Sequence, residues 1–320
     1  MMNRQEVKKI LFISLSNLGD IILTTPAFMK IAEGFPGARI DVITGAAGGE
    51  IFTQHPMVDR VETREKSRGP AERLSELMEL RRRRYDLVVD LRNSLIPYLS
   101  GARYHTGFTA SKDPKLHKRD EHLARIARLG LDAFSDARFY VPVKKEDADM
   151  AEEATRGPGC VVVNPGAKSH LKRWEACKYA LLADRISSEL RKKVLITGNE
   201  DDTDVVAHVK SRMKEPALDI CGRTSLGALY EVMRRSELVI TNDSAPLHVA
   251  SAAGTPTIAI FGPSDEKKYG PLAERSVALA PDVDCRPCGK ALCSLGIVEG
   301  CISRVEVGEA FTAAERILNG

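Results

Sequence analysis

Short apolar segments of β-strand type alternate with segments of helical spacing along this chain, and this alternation constrains the fold most. Residues 10–15 form an apolar run, residues 20–33 have helical spacing, and residues 39–44 form a second apolar run. A strand, a helix and a strand within about 30 residues form a βαβ unit, whose crossover makes the strands parallel. The sequence therefore predicts an α/β fold with parallel sheets.

The alternation stops in a charged stretch with Gly and Pro at 144–159, which predicts a linker near residues 150–158, and then starts again. Later apolar runs lie at 160–164, 193–197, 237–241 and 257–261. The length of 320 residues suits two domains of about 150 residues each. We predict two Rossmann-like, doubly wound domains at 1–150 and 158–320, with ligands at the strand carboxyl ends and between the domains. The last helical segment, 306–318, could pack on either domain.

Composition excludes several classes of protein. With 43% hydrophobic and 28% charged residues, the chain is not of the disordered class. Its 47 Lys and Arg against 44 Asp and Glu give a net charge of +3, which does not suggest a nucleic-acid binder. The first apolar run is shorter than the core of a signal peptide, and no run approaches the roughly 18 apolar residues of a transmembrane helix. We therefore expect a cytoplasmic protein.

The loop after the first predicted strand reads S-N-L-G-D at 16–20. It lacks the G-x-G-x-x-G spacing, so no dinucleotide-binding fingerprint is present. Asp20 lies at the start of the following helix, where two interpretations stay open: the carboxylate caps the helix, or it is a general base.

The densest polar strand end is N-D-S-A-P-L-H at 242–248. Pro246 suits the first turn of a helix, whose free N–H groups would favour an anionic ligand. Ser244 could cap this helix, so Asp243 is better explained by a binding site. The cations that include Lys172 follow another strand end and could neutralise a diphosphate or be solvated.

Two blocks of sequence carry a resemblance to a known family. S-x-L-G-D-x-x-L-T-T-P lies at 16–26, and N-D-S-x-P-x-H with a later G-T-P and F-G-P-S lies at 242–264. Together with N-P-G-A and K-R-W they resemble the ADP-heptose:lipopolysaccharide heptosyltransferases, glycosyltransferase family 9. The resemblance implies the GT-B fold, in which two Rossmann-like domains face each other across a cleft.

The resemblance also implies a role for each matched residue. Asp20 would be the catalytic base that takes a proton from the acceptor hydroxyl. Lys172 would contact the donor phosphates, Asp202 the adenosine ribose, and Asp243 the donor sugar. The helix start beneath the diphosphate would consist of Ser244, Ala245 and Pro246, while His248 would contact the donor or pack.

The implied reaction is an inverting displacement that moves heptose from ADP-heptose to the inner core of lipopolysaccharide. No metal or other cofactor is expected, because the D-x-D sequences at 147–149 and 282–284 fall in segments predicted to be irregular. Two alternatives stay open. One is a family member with another nucleotide sugar and another cell-surface glycan acceptor, and the other is a catalytically silent sugar-nucleotide-binding protein of the same fold.

Basic residues concentrate in the first predicted domain. Residues 60–128 contain 17 Lys and Arg against 10 Asp and Glu, a surplus of +7 that leaves −4 for the rest of the chain. We predict that Lys115, Lys118 and Arg119 bind the anionic acceptor, or an anionic membrane surface with the protein peripheral at the inner membrane. The alternative is a solvated helix face.

Four of the seven cysteines lie close together near the C-terminal end: Cys285, Cys288, Cys293 and Cys301. Four thiols at this spacing could hold a structural zinc ion or an iron–sulfur cluster. The spacing differs from two C-x2-C knuckles, so a metal site, oxidation-prone thiols and reduced packing all stay open.

Overall fold

A computed structural model describes residues 2–64, 69–108, 116–157, 159–290, 292–293 and 296–320. The chain divides into two compact units, Met1–Pro142 and Val143–Gly320. The division falls before the stretch in which the sequence placed a linker.

The first unit contains five strands and five α-helices among its described residues. In chain order they are β1 (Lys9–Ile13), α1 (Leu18–Gly34), β2 (Arg39–Thr44), α2 (Gly49–Thr53), β3 (Val58–Thr63), α3 (Pro70–Arg82), β4 (Leu87–Asp90), α4 (Ile96–Leu99), β5 (Tyr104–His105) and α5 (Lys118–Ala127). All strand pairs are parallel, in the order β3-β2-β1-β4-β5.

Burial explains which strands of this unit are apolar in sequence. The central strand β1 lies between β2 and β4, and its residues 10–13 are fully buried. Phe12 contacts Phe28 of α1 edge to face at 5.4 Å, and Phe28 contacts Phe52 at 5.0 Å. Each such pair contributes about 0.5–1.5 kcal/mol beyond the burial of its area. The aromatic residues thus fix α1, and with it the segment that carries Asp20, on the sheet.

Pro26 lies inside α1, where it cannot donate a backbone hydrogen bond to the carbonyl of Ile22. The hydroxyl of Thr25 donates to that carbonyl at 2.8 Å, so the group stays satisfied although it is buried. The T-T-P sequence therefore has a structural reason in the helix itself.

The second unit contains six strands and seven α-helices among its described residues. They are α6 (Lys145–Thr155), β6 (Cys160–Asn164), α7 (Ala176–Ser188), β7 (Lys193–Ile196), α8 (Thr203–Lys210), β8 (Ala217–Asp219), α9 (Leu226–Arg234), β9 (Leu238–Asn242), α10 (Ala245–Ala253), β10 (Thr257–Ile260), α11 (Glu266–Tyr269), β11 (Val277–Leu279) and α12 (Val307–Asn319). Its sheet is parallel in the order β11-β10-β9-β6-β7-β8.

Both sheets have the same doubly wound topology. Each begins in its middle, winds to one edge, and then returns to continue on the other side. The reversal falls between β1 and β4 in the first unit and between β6 and β9 in the second. The predicted α/β class with two Rossmann-like parallel sheets, the GT-B type, is confirmed. Ligands of such sheets bind at the carboxyl ends of the strands beside the reversal.

The charged stretch at 144–159 is largely helical instead of a linker. Helix α6 packs against α9, burying Ala151 and Ala154. The carboxylate of Asp147 accepts hydrogen bonds from the backbone N–H of Lys144 at 2.9 Å and from the hydroxyl of Ser225 at 2.5 Å. The D-x-D sequence at 147–149 is therefore helical, which corrects the expectation of an irregular segment, whereas 282–284 is irregular.

Helix α12 packs in the second unit. Its buried face, which includes Ala310, Ala314 and Ile317, lies in the hydrophobic core with Val161 and Ile258. Across the described ranges, none of the helices combines the length and the hydropathy that a membrane span requires.

Candidate functional site

The reversal point of the second sheet brings two polar loops together. Asn164, the last residue of β6, is paired in register with Thr241 of β9. One loop continues from Asn164 to the short 3-10 helix His170–Lys172, and the other joins β9 to α10. The donor-binding residues that the sequence predicted on these loops therefore share one edge of one sheet.

Lys172 and Asp243 form an ion pair at this edge, with 2.6 Å between the Lys172 ammonium and a carboxylate oxygen of Asp243. The carboxylate is buried at 5% exposure, whereas the lysine side chain is 34% exposed. A fixed and partly exposed ammonium can accept an anionic ligand without leaving its carboxylate partner. The sequence predicted a role for each residue but not their contact.

The 3-10 helix that carries Lys172 is held by close backbone contacts. A Cβ at Gly262 would collide with the backbone carbonyl oxygen of Leu171, so this position requires glycine for the close approach. Gly300 also lies against Leu171, and its φ of +75° favours glycine. The loop after β10 and Gly300, near the end of the cysteine segment (residues 285–301), together support Lys172.

The start of α10 lies next to the ion pair. Ser244 occupies the N-cap position with extended backbone, but its side chain makes no capping hydrogen bond. The sequence suggested that Ser244 could cap the helix, and the structure corrects this. Pro246 has no N–H, and the N–H of Leu247 donates to the carbonyl of Ser244 at 3.1 Å. Ser244 and Ala245 are half-buried, and their backbone N–H groups are the ones that this helix start can offer to an anion. His248 is 5% exposed, one turn into the helix.

Asp202 lies in the 3-10 helix Glu200–Asp202, which follows the loop after β7. Its carboxylate accepts a hydrogen bond from the backbone N–H of Asn199 at 3.1 Å, and its own N–H donates to the Asn199 side chain at 3.1 Å. A Cβ at Gly166 would lie 2.3 Å from the Asp202 carboxylate. The carboxylate therefore rests directly on the backbone of the loop after β6, at the predicted nucleotide site.

Asn242 is a residue that the sequence reasoning missed. It is fully buried at the end of β9, and its side chain hydrogen bonds to Pro165 and Trp174, near the two ends of the connection between β6 and α7. The available signal was an amide side chain at the end of a buried strand, which must find partners for its donors and acceptors.

In the first unit, Asp20 is half-buried in the first turn of α1. Asn17 is the N-cap residue, so the capping interpretation of Asp20 is not borne out by its position, although a carboxylate in the first turn still complements the helix dipole. The amide of Asn17 donates to the Asp20 carboxylate at 3.1 Å.

The loop that leads to Asp20 is held between β2 and β4. The Arg92 guanidinium, just after β4, donates to the carbonyls of Ser14 and Leu15. Burial lowers the pKa of Arg92, while the nearby Asp90 carboxylate acts in the opposite direction. A Cβ at Gly45 would lie 2.3 Å from the carbonyl oxygen of Ser16. These contacts fix the backbone before Asp20.

The structure describes two of the three predicted acceptor-binding cations, Lys118 and Arg119. Lys115 lies outside the described residues. Lys118 and Arg119 form ion pairs with carboxylates of their own helix, at 2.6 Å to Glu121 and 2.7 Å to Asp120. Their charges are therefore partly compensated within α5.

His122 of the same helix is neutral. Burial lowers the pKa of His122 to about 3, and the charges of Arg125 and Lys118 contribute in the same direction. This imidazole therefore adds no positive charge to the surface near pH 7.

The four clustered cysteines are free thiols. Burial raises the pKa of Cys301, the nearby Arg286 guanidinium acts in the opposite direction, and Cys285, Cys288 and Cys293 add to the rise. Within the described ranges, however, no three or more His, Cys, Asp or Glu side chains are arranged to hold a metal ion. The zinc or iron–sulfur site therefore stays a prediction. Metal analysis of protein purified under reducing conditions tests that prediction, and a metal-free protein would end it.

The cysteine segment is nevertheless attached to the same sheet edge. The backbone N–H groups of Cys288 and Gly289 both donate to the carbonyl of Pro263 at 3.0 Å. The Arg286 side chain donates to the carbonyl of Ser264 at 3.0 Å and pairs with Glu266 at 2.9 Å. The segment therefore closes over the loop after β10.

A family model matches most of this chain. The family model described as glycosyltransferase family 9 (heptosyltransferase) matches residues 73–298. Lipopolysaccharide heptosyltransferase 3 of Escherichia coli is 25% identical over 288 residues, covering 81% of this chain and 85% of that protein.

Solved structures show the same fold. A glycosyltransferase of family 9 from Veillonella parvula superposes with a TM-score of 0.82 at 25% identity, covering 100% of this chain and 98% of that one. An E. coli heptosyltransferase solved with ADP-2-deoxy-2-fluoro heptose superposes with a TM-score of 0.64 at 16% identity, covering 96% and 99% of the two chains.

Proposed function

The chain belongs to glycosyltransferase family 9, the heptosyltransferase family, and on that premise we propose that it transfers heptose from ADP-heptose to the inner core of lipopolysaccharide. The observation that carries the proposal is the Lys172–Asp243 ion pair beside the accessible start of α10. A cation and free backbone N–H groups at one sheet edge suit a diphosphate.

The proposed chemistry is an inverting displacement. The acceptor oxygen attacks the anomeric carbon, the bond from that carbon to the diphosphate oxygen breaks, and the nucleoside diphosphate leaves with the bonding electrons. Negative charge then grows on the diphosphate, where Lys172 and the N–H groups of α10 stabilise it. Asp20 takes the proton that the acceptor hydroxyl loses. These residues supply the electrostatic and proton-transfer work of the step without a metal ion.

The nucleoside part of the donor would lie over Asp202. The carboxylate rests against Gly166 and can accept hydrogen bonds from the ribose hydroxyls. Asp243 would orient the sugar while it holds Lys172.

A nucleotide screen tests the donor. We expect ADP and ADP-heptose to bind in calorimetry, and the product mass with a core acceptor to increase by one heptose. Asp202→Ala should weaken ADP binding about tenfold because ribose hydrogen bonds to a charged group are lost. Asp201→Ala is the matched control, since Asp201 is an exposed neighbour on the same 3-10 helix.

Each other outcome of the screen has a distinct meaning. Binding of a UDP-sugar but not of ADP-heptose would show that the donor is another nucleotide sugar, and would favour another cell-surface glycan as the acceptor. Binding of ADP-heptose without transfer to any core acceptor would favour a silent binding protein.

We further propose that the protein works in the cytoplasm, peripheral at the inner membrane, where its acceptor is anchored. The basic surplus between residues 60 and 128 supports contact with an anionic surface. The first unit also exposes Leu95, Leu99 and a stack of Tyr98 on Phe108 at 5.1 Å between ring centroids. Apolar and basic side chains of this kind are typical of proteins that bind at a lipid interface.

Charge reversal tests this contact. The triple change of Lys115, Lys118 and Arg119 to Glu should weaken binding to vesicles containing phosphatidylglycerol about 100-fold. Each charge near such a surface contributes up to about 1 kcal/mol, and reversal changes each charge by two units, which offsets the partial compensation of Lys118 and Arg119 by Glu121 and Asp120. The same variant should raise KM for the acceptor. Lys214→Glu, an exposed lysine of the second unit, is the control. Unchanged vesicle binding and unchanged acceptor KM would contradict the proposal.

A further inference from the structure

The side chain of Asn242 makes four hydrogen bonds although it is fully buried. Its carbonyl oxygen accepts from the backbone N–H of Trp174 at 3.1 Å and from the hydroxyl of Tyr179 at 2.9 Å. Its amide nitrogen donates to the carbonyls of Pro165 at 2.9 Å and Gly166 at 3.3 Å. Both ends of the amide are therefore occupied, each by two partners.

These partners belong to the segments that carry the donor-binding residues. Trp174 follows Lys172 by two positions, and its fully buried indole donates to the carbonyl of Val305 at 3.0 Å. Asp243, the neighbour of Asn242, binds the Lys172 ammonium. Two consecutive residues thus hold the segment 172–174 at two points. Asn242 binds the backbone N–H of Trp174, and Asp243 binds the side chain of Lys172.

The other end of the amide reaches the nucleoside side. Gly166, whose carbonyl it binds, is the residue on which the Asp202 carboxylate rests. A shift of the loop after β6 would move Gly166 away from the Asp202 carboxylate that it supports. Asn242 therefore links the proposed ribose and diphosphate subsites through hydrogen bonds of its own side chain.

Asparagine suits this position because its side chain both accepts and donates hydrogen bonds. An aspartate in the same place would turn an acceptor oxygen toward two carbonyls, and an apolar residue would leave several buried groups without partners. A fully satisfied polar network in a low-dielectric interior fixes one arrangement of the groups that it joins.

We infer that Asn242 is a positioning residue, which acts through Lys172 and the loop under Asp202 to prepare the site for a nucleoside diphosphate. This inference rests on the proposed function. It concerns a residue to which neither sequence spacing nor the reaction chemistry assigns a role.

Calorimetric titration of the full chain with ADP tests the inference. Asn242→Ala should raise the Kd for ADP about 30-fold, because it frees both ends of the β6–α7 connection and leaves buried groups unpaired. Tyr179→Phe is the matched control, since it removes one donor to the same oxygen and leaves the Trp174 backbone anchor. We expect it to change the Kd by no more than about threefold.

A mutant cycle separates positioning from general destabilisation. In a background that carries both Lys172→Ala and Asp202→Ala, Asn242→Ala should raise the Kd by no more than about threefold, because both groups through which it acts are already absent. If Asn242→Ala keeps its full effect in that background, Asn242 acts independently of both groups and the inference is overturned. Wild-type affinity for ADP in Asn242→Ala would overturn it directly.

A near-isosteric variant covers the case in which Asn242→Ala does not fold. In Asn242→Asp, a buried carboxyl group should be protonated at low pH and donate to one carbonyl, and ionise as pH rises. Its affinity for ADP should therefore approach that of the wild type at low pH and fall at higher pH, while Tm shows that it stays folded. A constant ratio to wild-type affinity across pH would contradict the inference. Failure of the wild-type protein to bind ADP would instead refute the proposed donor.

Discussion

Replacing Asp20 by Asn is expected to lower kcat by about 10²–10⁴-fold, the range contributed by a positioned general base. The substitution keeps the shape of the side chain and removes only its ability to take a proton. Its affinity for ADP should stay at the wild-type value, because Asp20 lies in the first unit and the proposed nucleotide contacts lie in the second. Turnover with saturating donor and acceptor, measured beside calorimetric ADP binding, checks both expectations.

Asn17→Ala is the matched control for this prediction. It removes the amide that donates to the Asp20 carboxylate at 3.1 Å but leaves the carboxylate itself. We expect a loss of about tenfold or less, corresponding to one hydrogen bond to a charged group. An Asp20→Asn protein with full turnover would show that Asp20 is not the base.

Most of the strands that sequence alone predicted are buried on both faces. β1, β6, β9 and β10 lie inside their sheets, and their residues are apolar over most of each strand. The edge strand β3 was not predicted, because its side chains are exposed or only partly buried and carry charges. Parallel sheets with both faces covered produce this difference between central and edge strands.

Helix α6 shows a second limit of local pattern. Its sequence is charged enough to resemble a linker, and only Ala151 and Ala154 are buried in it. Its place in the fold depends on packing against α9, which lies about 70 residues later in the chain. The information that decides this helix is thus not local.

In the candidate site, too, some features could be predicted from local sequence and others could not. Strand-end residues such as Asp243 could be predicted, because a doubly wound sheet places its strand ends at one edge. The pairing of Lys172 with Asp243 and the four bonds of Asn242 join residues more than 60 positions apart, which spacing does not reveal. A count of charges also overestimates the positive charge that Lys118 and Arg119 present, because it does not show that they pair with Glu121 and Asp120 on the same helix turn.

Replacing Lys172 by Ala should lower kcat/KM by about 10³-fold and weaken ADP binding about 100-fold. Two effects act together. The diphosphate loses its cation, and the Asp243 carboxylate, 5% exposed, is left without its ion-pair partner beside an incoming anion. Steady-state kinetics and ADP calorimetry measure the two losses, and a decrease in Tm should report the unpaired buried carboxylate.

The second effect makes a prediction that loss of a cation alone does not. In Lys172→Ala, the further change Asp243→Asn removes the buried negative charge, so ADP affinity should recover about tenfold relative to the single variant. In the wild-type background the same Asp243→Asn change should lower kcat, because the ammonium and the donor sugar lose their anchor. If the double variant binds ADP no better than Lys172→Ala, the carboxylate does not face the diphosphate and the pair must be assigned another role. Wild-type ADP affinity in Lys172→Ala would place the diphosphate away from this end of β9 altogether.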